Sequence, residues 1–95
     1  MDRIVWRGRI DRQLEKLPDY IRDKFQYWVE LVDKYSLSET MKIKGFHDEA
    51  LRGLLKGKRS VRLNKAYRVI YEIIDAKKRF RTIEVLEVCK HEYKK

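Results

Sequence analysis

Apolar residues recur at two different periods in this chain, and the change from one to the other restricts its fold more than any other feature. Ile21, Phe25, Trp28, Val32 and Tyr35 follow one another at steps of four, three, four and three, the spacing that lines side chains along one side of an α-helix. From Ser60 onward the period is two. Ser60 to Leu63, Tyr67 to Ile74 and Thr82 to Cys89 are rich in β-branched and aromatic residues, and polar Asn64-Lys65-Ala66 and Asp75 to Arg81 separate them, as in strands joined by turns. Helices first and strands afterwards describe an α+β chain.

Ahead of the main stripe, Ile10, Leu14 and Leu17 stand at helical spacing. Pro18 ends that segment and opens the next, because its missing N–H is unpaired at a helix start in any case. The stripe runs from about Pro18 to Tyr35, and its aromatics, Phe25 and Trp28 included, read as core. Between Ser36 and Ser60 the period is weak and Gly45, Gly53 and Gly57 punctuate it, which predicts a connecting region with a short helical turn around Asp48 to Leu54. The three strands are expected in antiparallel meander order, and Arg3 to Trp6 offers a short leading strand. In the middle strand Tyr67, Val69, Tyr71 and Ile73 face the core, which sends Arg68 to the opposite face. With 95 residues the chain has room for one core, so a single domain spanning 1–95 is expected: two N-terminal helices packed on a small antiparallel sheet of three to four strands.

Twenty-four Lys and Arg against fifteen Asp and Glu leave a charge of +9, which points to a polyanionic partner. The excess is local. Residues 1–41 carry eight basic and eight acidic side chains, and residues 42–95 carry sixteen and seven. Between Arg52 and Arg68 the chain places Arg52, Lys56, Lys58, Arg59, Arg62, Lys65 and Arg68 without one acid among them. This reads as a neutral scaffold followed by a cationic working surface.

Several chemistries are excluded. The longest apolar runs are far shorter than the roughly 20 residues a membrane helix needs, and Asp2, Arg3 and Arg7 interrupt any leader-like segment, so no membrane association and a cytoplasmic location are expected. A lone Cys89 forms no disulfide within the chain and reads as a filler in a strand. Gly53 to Arg59 resembles a phosphate loop only superficially, since the glycine spacing is one short and Arg59 stands where a Ser or Thr would hold magnesium. His47, His91 and Cys89 lack the paired spacing of a zinc site, and no Gly-x-Ser-x-Gly elbow is present. No metal and no other cofactor is expected.

Metal-free cleavage of RNA needs a base for the 2′-hydroxyl, cations for the charge that grows on the phosphate, and an acid for the leaving 5′-oxygen. The second half of the chain has such parts. Arg62 and Arg68, in neighbouring strands, can fork onto phosphate oxygens. His91 and Tyr93, two residues apart, share a face if the last strand continues to them, and Glu49 is a carboxylate just ahead of the strands. Against this, Arg62 and Arg68 could equally pair with Glu72 or Glu84, His91 could be a surface residue, and Glu49 could merely support a helical turn.

Three runs in order, Gly45-Phe46-His47-Asp48-Glu49-Ala50-Leu51-Arg52-Gly53, then Leu55-Lys56-Gly57-Lys58-Arg59-Ser60-Val61-Arg62-Leu63-Asn64, then Tyr67-Arg68-Val69-Ile70-Tyr71, with His91-Glu92-Tyr93 at the end, resemble the RelE/ParE superfamily of bacterial toxins, nearest its RelE, YoeB and HigB branch. The resemblance spans nearly the whole chain and implies a RelE-like microbial ribonuclease fold. It also implies the toxin of a type II toxin–antitoxin pair, an endoribonuclease that cuts messenger RNA in the ribosomal decoding site. On that pattern Glu49 is the general base, Arg62 and Arg68 stabilise the phosphorane, His91 protonates the leaving oxygen and Tyr93 orients the substrate. Arg52, Lys56, Lys58, Arg59 and Lys65 then hold messenger and ribosomal RNA. The branch closes on adjacent His and Tyr, whereas here Glu92 stands between His91 and Tyr93. An acidic cognate antitoxin is the implied partner, and the free toxin is expected to be a monomer. The alternatives are a ParE-like toxin that blocks gyrase without nuclease chemistry, and a basic RNA-binding module without catalysis.

Overall fold

The computed structural model describes residues 2–77 and 80–90. A first strand β1 (Asp2–Trp6) leads into helices α1 (Gly8–Glu15), α2 (Asp19–Tyr35) and α3 (Leu37–Met41), followed by strands β2 (Glu49–Ala50), β3 (Arg59–Arg62), β4 (Tyr67–Lys77) and β5 (Phe80–Lys90). The strands form one sheet in the order β1-β5-β4-β3-β2, antiparallel except where β1 runs parallel to β5. The expected α+β meander is present, with the leading strand paired to its far edge. No helix among the described residues is long and apolar enough to cross a membrane.

The helical stripe becomes core from Ile21 to Val32, whereas Tyr35 at its end, expected in the core, is exposed. Ile21, Phe25, Trp28 and Val32 of α2 are buried against Val61, Val69, Tyr71, Ile83, Val85 and Val88 of the sheet. Trp28 lies 5.4 Å from the Tyr71 ring and Trp6 meets Phe25 edge-on at 5.3 Å, so aromatic contacts join helix to sheet. Pro18 sits just before α2, and its carbonyl accepts the N–H groups of Ile21 and Arg22. Gln13 of α1 accepts the Val88 N–H at 2.8 Å, and the buried Asp2 accepts from Leu37 N–H at 2.7 Å and Arg81 N–H at 3.1 Å. These side chains pin α1 and α3 to the strands beneath them.

Three expectations are corrected. Asp48 to Leu54 is not a helical turn: Glu49–Ala50 is extended and pairs with β3, and only Gly53–Leu55 coils into a 3₁₀ turn. The open edge of β3 needs partners for its backbone groups, and β2 supplies them, which makes the sheet five-stranded. A third helix follows α2. Its signature, Ser36-Leu37-Ser38-Glu39, stands in the sequence as a helix-capping pattern, and Ser36 Oγ accepts from the Glu39 N–H at 3.3 Å. The polar stretch expected to turn between Asp75 and Arg81 instead extends β4 to Lys77 and begins β5 at Phe80.

Candidate active site

Strand parity decides which side chains share a surface. Cross-strand partners point the same way, as do alternate residues along one strand. Val61, Val69 and Val88 are successive partners on the helix-covered face. Their neighbours Arg62, Arg68 and Cys89, also successive partners, therefore lie on the other face. Ser60 precedes Arg62 by two and pairs with Glu49, which brings Glu49 to that same face.

The turn between β3 and β4 sets this alignment. Asn64 Oδ1 accepts from the N–H groups of Ala66 at 2.7 Å and Tyr67 at 2.8 Å, and the Leu63 N–H donates to the Tyr67 carbonyl. An asparagine side chain closing a turn in this way mimics a backbone turn and fixes Arg62 opposite Arg68. Two like charges facing across a ladder repel. Among the described residues neither arginine has an acidic partner: Glu72 stands 4.0 Å from Lys58 and Glu84 stands 3.5 Å from Arg7. The buried Nε of Arg68 has no acceptor among the described residues either. Such an arrangement leaves both guanidinium groups without a carboxylate partner among the described residues.

The arginines, Ser60, Glu49 and the turn residues Lys65 and Tyr67 border one recess of about 50 Å³. His47 also lines it, with Nε2 3.3 Å from Glu49 Oε2. His47 holds a left-handed backbone (φ 46°, ψ 51°), a conformation that costs an L-residue about 1–2 kcal/mol and that histidine adopts more readily than most. Its neighbours explain the strain. Phe46 is buried in the core, and the Asp48 carboxylate is 2% exposed. Asp48 accepts from Arg59 Nε at 2.7 Å and from the Tyr71 hydroxyl. With both neighbours anchored inward, the backbone at 47 must bend sharply, and His47 and Glu49 emerge together over the sheet.

This network changes one assignment. Arg59, expected among the RNA-holding cations, has Tyr71 as its Cα partner, and its guanidinium is held by Asp48. Burial works against its charge, but the hydrogen bond and charge of Asp48, with Tyr71, outweigh it and raise its pKa. The Tyr71 hydroxyl is pushed up, first by burial and then by its bond to Asp48. Arg59 is thus a structural cation. Arg52 and Lys56 are exposed on the connection between β2 and β3, which turns at Gly53 (φ 67°) and Gly57 (φ 92°). Lys58 is half-buried beside Glu72, and Lys65 is exposed at the recess.

The general acid and orienting tyrosine implied by the resemblance, His91 and Tyr93, lie outside the described residues. Lys90, the last described residue of β5, pairs with Tyr67 at the recess. Among the described residues no three His, Cys, Asp or Glu side chains converge as a metal would require. Cys89 lies in β5, half-buried beside Arg68 on the outer face. Burial, then Glu87, push its thiol up to about 11 against the pull of Arg68. Iodoacetamide at pH 8 is therefore expected to label Cys89 on the order of 100-fold more slowly in the folded than in the unfolded protein. Equal rates, read by mass spectrometry, would show that the fold leaves this thiol unshielded.

No family model matches the chain, and no curated protein matches it in sequence. Solved structures do. A YoeB/ParE toxin from Agrobacterium tumefaciens aligns with a TM-score of 0.71 at 16% identity, over 95% of this chain and 99% of the other. The archaeal RelE–RelB complex from Pyrococcus horikoshii contributes a chain at 0.68 and 21% identity, over 93% and 92%. The YoeB–YefM complex from Staphylococcus aureus contributes one at 0.67 and 18%, over 98% and 99%. At such identities the likeness is one of backbone architecture, and the chain has the RelE/ParE toxin fold.

Proposed function

We propose that this protein is the toxin of a type II toxin–antitoxin pair and a metal-independent endoribonuclease that cuts messenger RNA on the ribosome. The observation that carries the proposal is the pair of facing arginines, Arg62 and Arg68, without an ion-pair partner among the described residues, in one recess with Glu49. A phosphodiester is an anion that these arginines can fork onto. Glu49 takes the proton of the 2′-hydroxyl, the 2′-oxygen bonds to phosphorus, and the bond from phosphorus to the 5′-oxygen breaks. The products are a 2′,3′-cyclic phosphate and a 5′-hydroxyl, with the leaving oxygen protonated by His91 and the substrate oriented by Tyr93, as the family resemblance implies. Both arginines bind the phosphorane more tightly than the ground state because charge grows on its equatorial oxygens.

Arg52, Lys56, Lys58 and Lys65 add the salt-sensitive attraction to message and ribosomal RNA. The partner is an acidic antitoxin that covers this cationic face, in keeping with the solved complexes of similarly folded chains with YefM and RelB. A gyrase-blocking toxin or a passive RNA-binding module has no use for a carboxylate placed beside paired guanidinium groups.

The test is to incubate the purified protein with translating ribosomes and map the 5′ ends of the message. Cuts at fixed codon positions are expected from the wild-type protein, and Glu49→Gln is expected to lower the rate by roughly 10²–10⁴-fold, the range of a lost general base. An intact message in the wild-type reaction would overturn the proposal.

A further inference from the structure

The carboxylate assigned to proton abstraction sits where it should be difficult to hold still. Glu49 lies on a two-residue strand at the edge of the sheet, and its side chain is 51% exposed. A glutamate in that setting samples many rotamers, and few of them aim an oxygen at one hydroxyl. One contact limits it among the described residues: His47 Nε2, 3.3 Å from Oε2. The contact engages one carboxylate oxygen and leaves Oε1 for a substrate.

We propose that His47 is a positioning residue for Glu49, its imidazole holding Oε2 so that Oε1 faces the 2′-hydroxyl over the Arg62–Arg68 pair. The inference rests on the ribonuclease reading above and adds to it a residue that this reading does not require. Three observations converge on it. The side chain lines the same recess as Glu49 and both arginines. Its backbone is the strained, left-handed kind that surrounding structure must enforce, and such outliers collect at working sites. The enforcing groups, buried Phe46 and Asp48, flank it directly, so the ring is placed from a rigid base although it is itself half-exposed.

The test uses two substitutions that differ in reach. A glutamine amide can occupy about the place of Nε2, while an asparagine amide stops short of it but tolerates the left-handed backbone. In codon-mapped cleavage on ribosomes, His47→Asn is expected to lower kcat by about 10- to 100-fold, the scale of a misplaced catalytic group, with KM within about twofold. His47→Gln is expected to keep at least about half of the wild-type kcat despite its poorer fit to the backbone. Circular dichroism and thermal unfolding check that both variants are folded. If the wild-type protein cuts and His47→Asn cuts as fast, or if Gln and Asn are equally impaired while folded, the positioning role is overturned and the ribonuclease reading stands. If the wild-type protein leaves message whole, both fall together.

Discussion

Arg68→Met is expected to lose at least about 10³-fold in cleavage while unfolding at a denaturant concentration no lower than the wild-type protein does. The two halves of that expectation have one cause. Arg68 faces Arg62 directly across the β3–β4 ladder, and among the described residues no acidic side chain pairs with either and the buried Nε of Arg68 finds no acceptor. Facing like charges destabilise a sheet by about 0.2–1 kcal/mol, and a buried donor without an acceptor costs about 1–3 kcal/mol. Methionine keeps the aliphatic stem that packs on the sheet and removes both penalties, so a gain on the order of 1 kcal/mol is expected. The lost function is the guanidinium fork on the phosphorane, and a single donor to a developing oxyanion is worth about 10²–10³ in rate. Losing a charged, two-pronged donor should exceed that. Arg68→Lys separates charge from shape: it restores a point charge without the fork and should recover part of the rate. Single-turnover cleavage and urea unfolding of the same preparations measure both halves. A variant that cuts normally would remove Arg68 from the site, and one that unfolds early would make it a structural residue.

Where sequence periodicity is strong, it tells which face of an element a side chain takes. The helical stripe from Ile21 to Val32 is the core side of α2, and the alternation through Tyr67, Val69 and Tyr71 placed Arg68 on the outer face, where it lies. Parity could have gone further. Arg59 and Val61 alternate on one side of β3, so Arg59 points toward the core side and away from Ser60 and Arg62 on the same rule that placed Arg68. Charge along the chain groups Arg59 with the cationic run, whereas strand parity separates it. The segment 44–50 was opaque for a different reason. Its conformation is set by Asp48 meeting Arg59 and Tyr71, 11 and 23 residues away, and no local period encodes a buried polar contact at such separation. Local sequence therefore offers no role for His47 beyond that of a metal ligand, and its place in the recess follows only once Asp48 is anchored.

Asp48→Ala should be the most destabilising single change in the site region, although Asp48 touches no substrate. Its carboxylate is 2% exposed and accepts from Arg59, whose side chain is 30% exposed, and from Tyr71, which is fully buried. Removing one partner of a buried ion pair strands the other, at a cost of about 3–5 kcal/mol. The partial exposure of Arg59 lets water reach its guanidinium, which favours the lower end, about 3 kcal/mol. At about 4–8 °C per kcal/mol for a domain of this size, the thermal midpoint should fall by roughly 12–24 °C. Two companion variants test the cause. Asp48→Asn keeps an acceptor for the Tyr71 hydroxyl and should lose less, and Arg59→Met combined with Asp48→Asn should cost less than the sum of the two single changes, since the pair is then absent from both ends. The same network fixes a pH dependence. The phenol of Tyr71 has its pKa raised in the folded protein by burial and by Asp48, so the folded state keeps a proton that the unfolded state releases near pH 10. Its contribution is fully present below that pH and is lost as pH rises beyond it. Tyr71→Phe should flatten this alkaline decline, and an unchanged slope would show that the hydroxyl is not coupled to folding. Because Asp48 also seats His47 and Glu49, Asp48→Ala assayed well below its midpoint should still cut slowly. A folded Asp48→Ala protein with full activity would mean that the loop holds its shape without the anchor, and that the strain at His47 is set elsewhere.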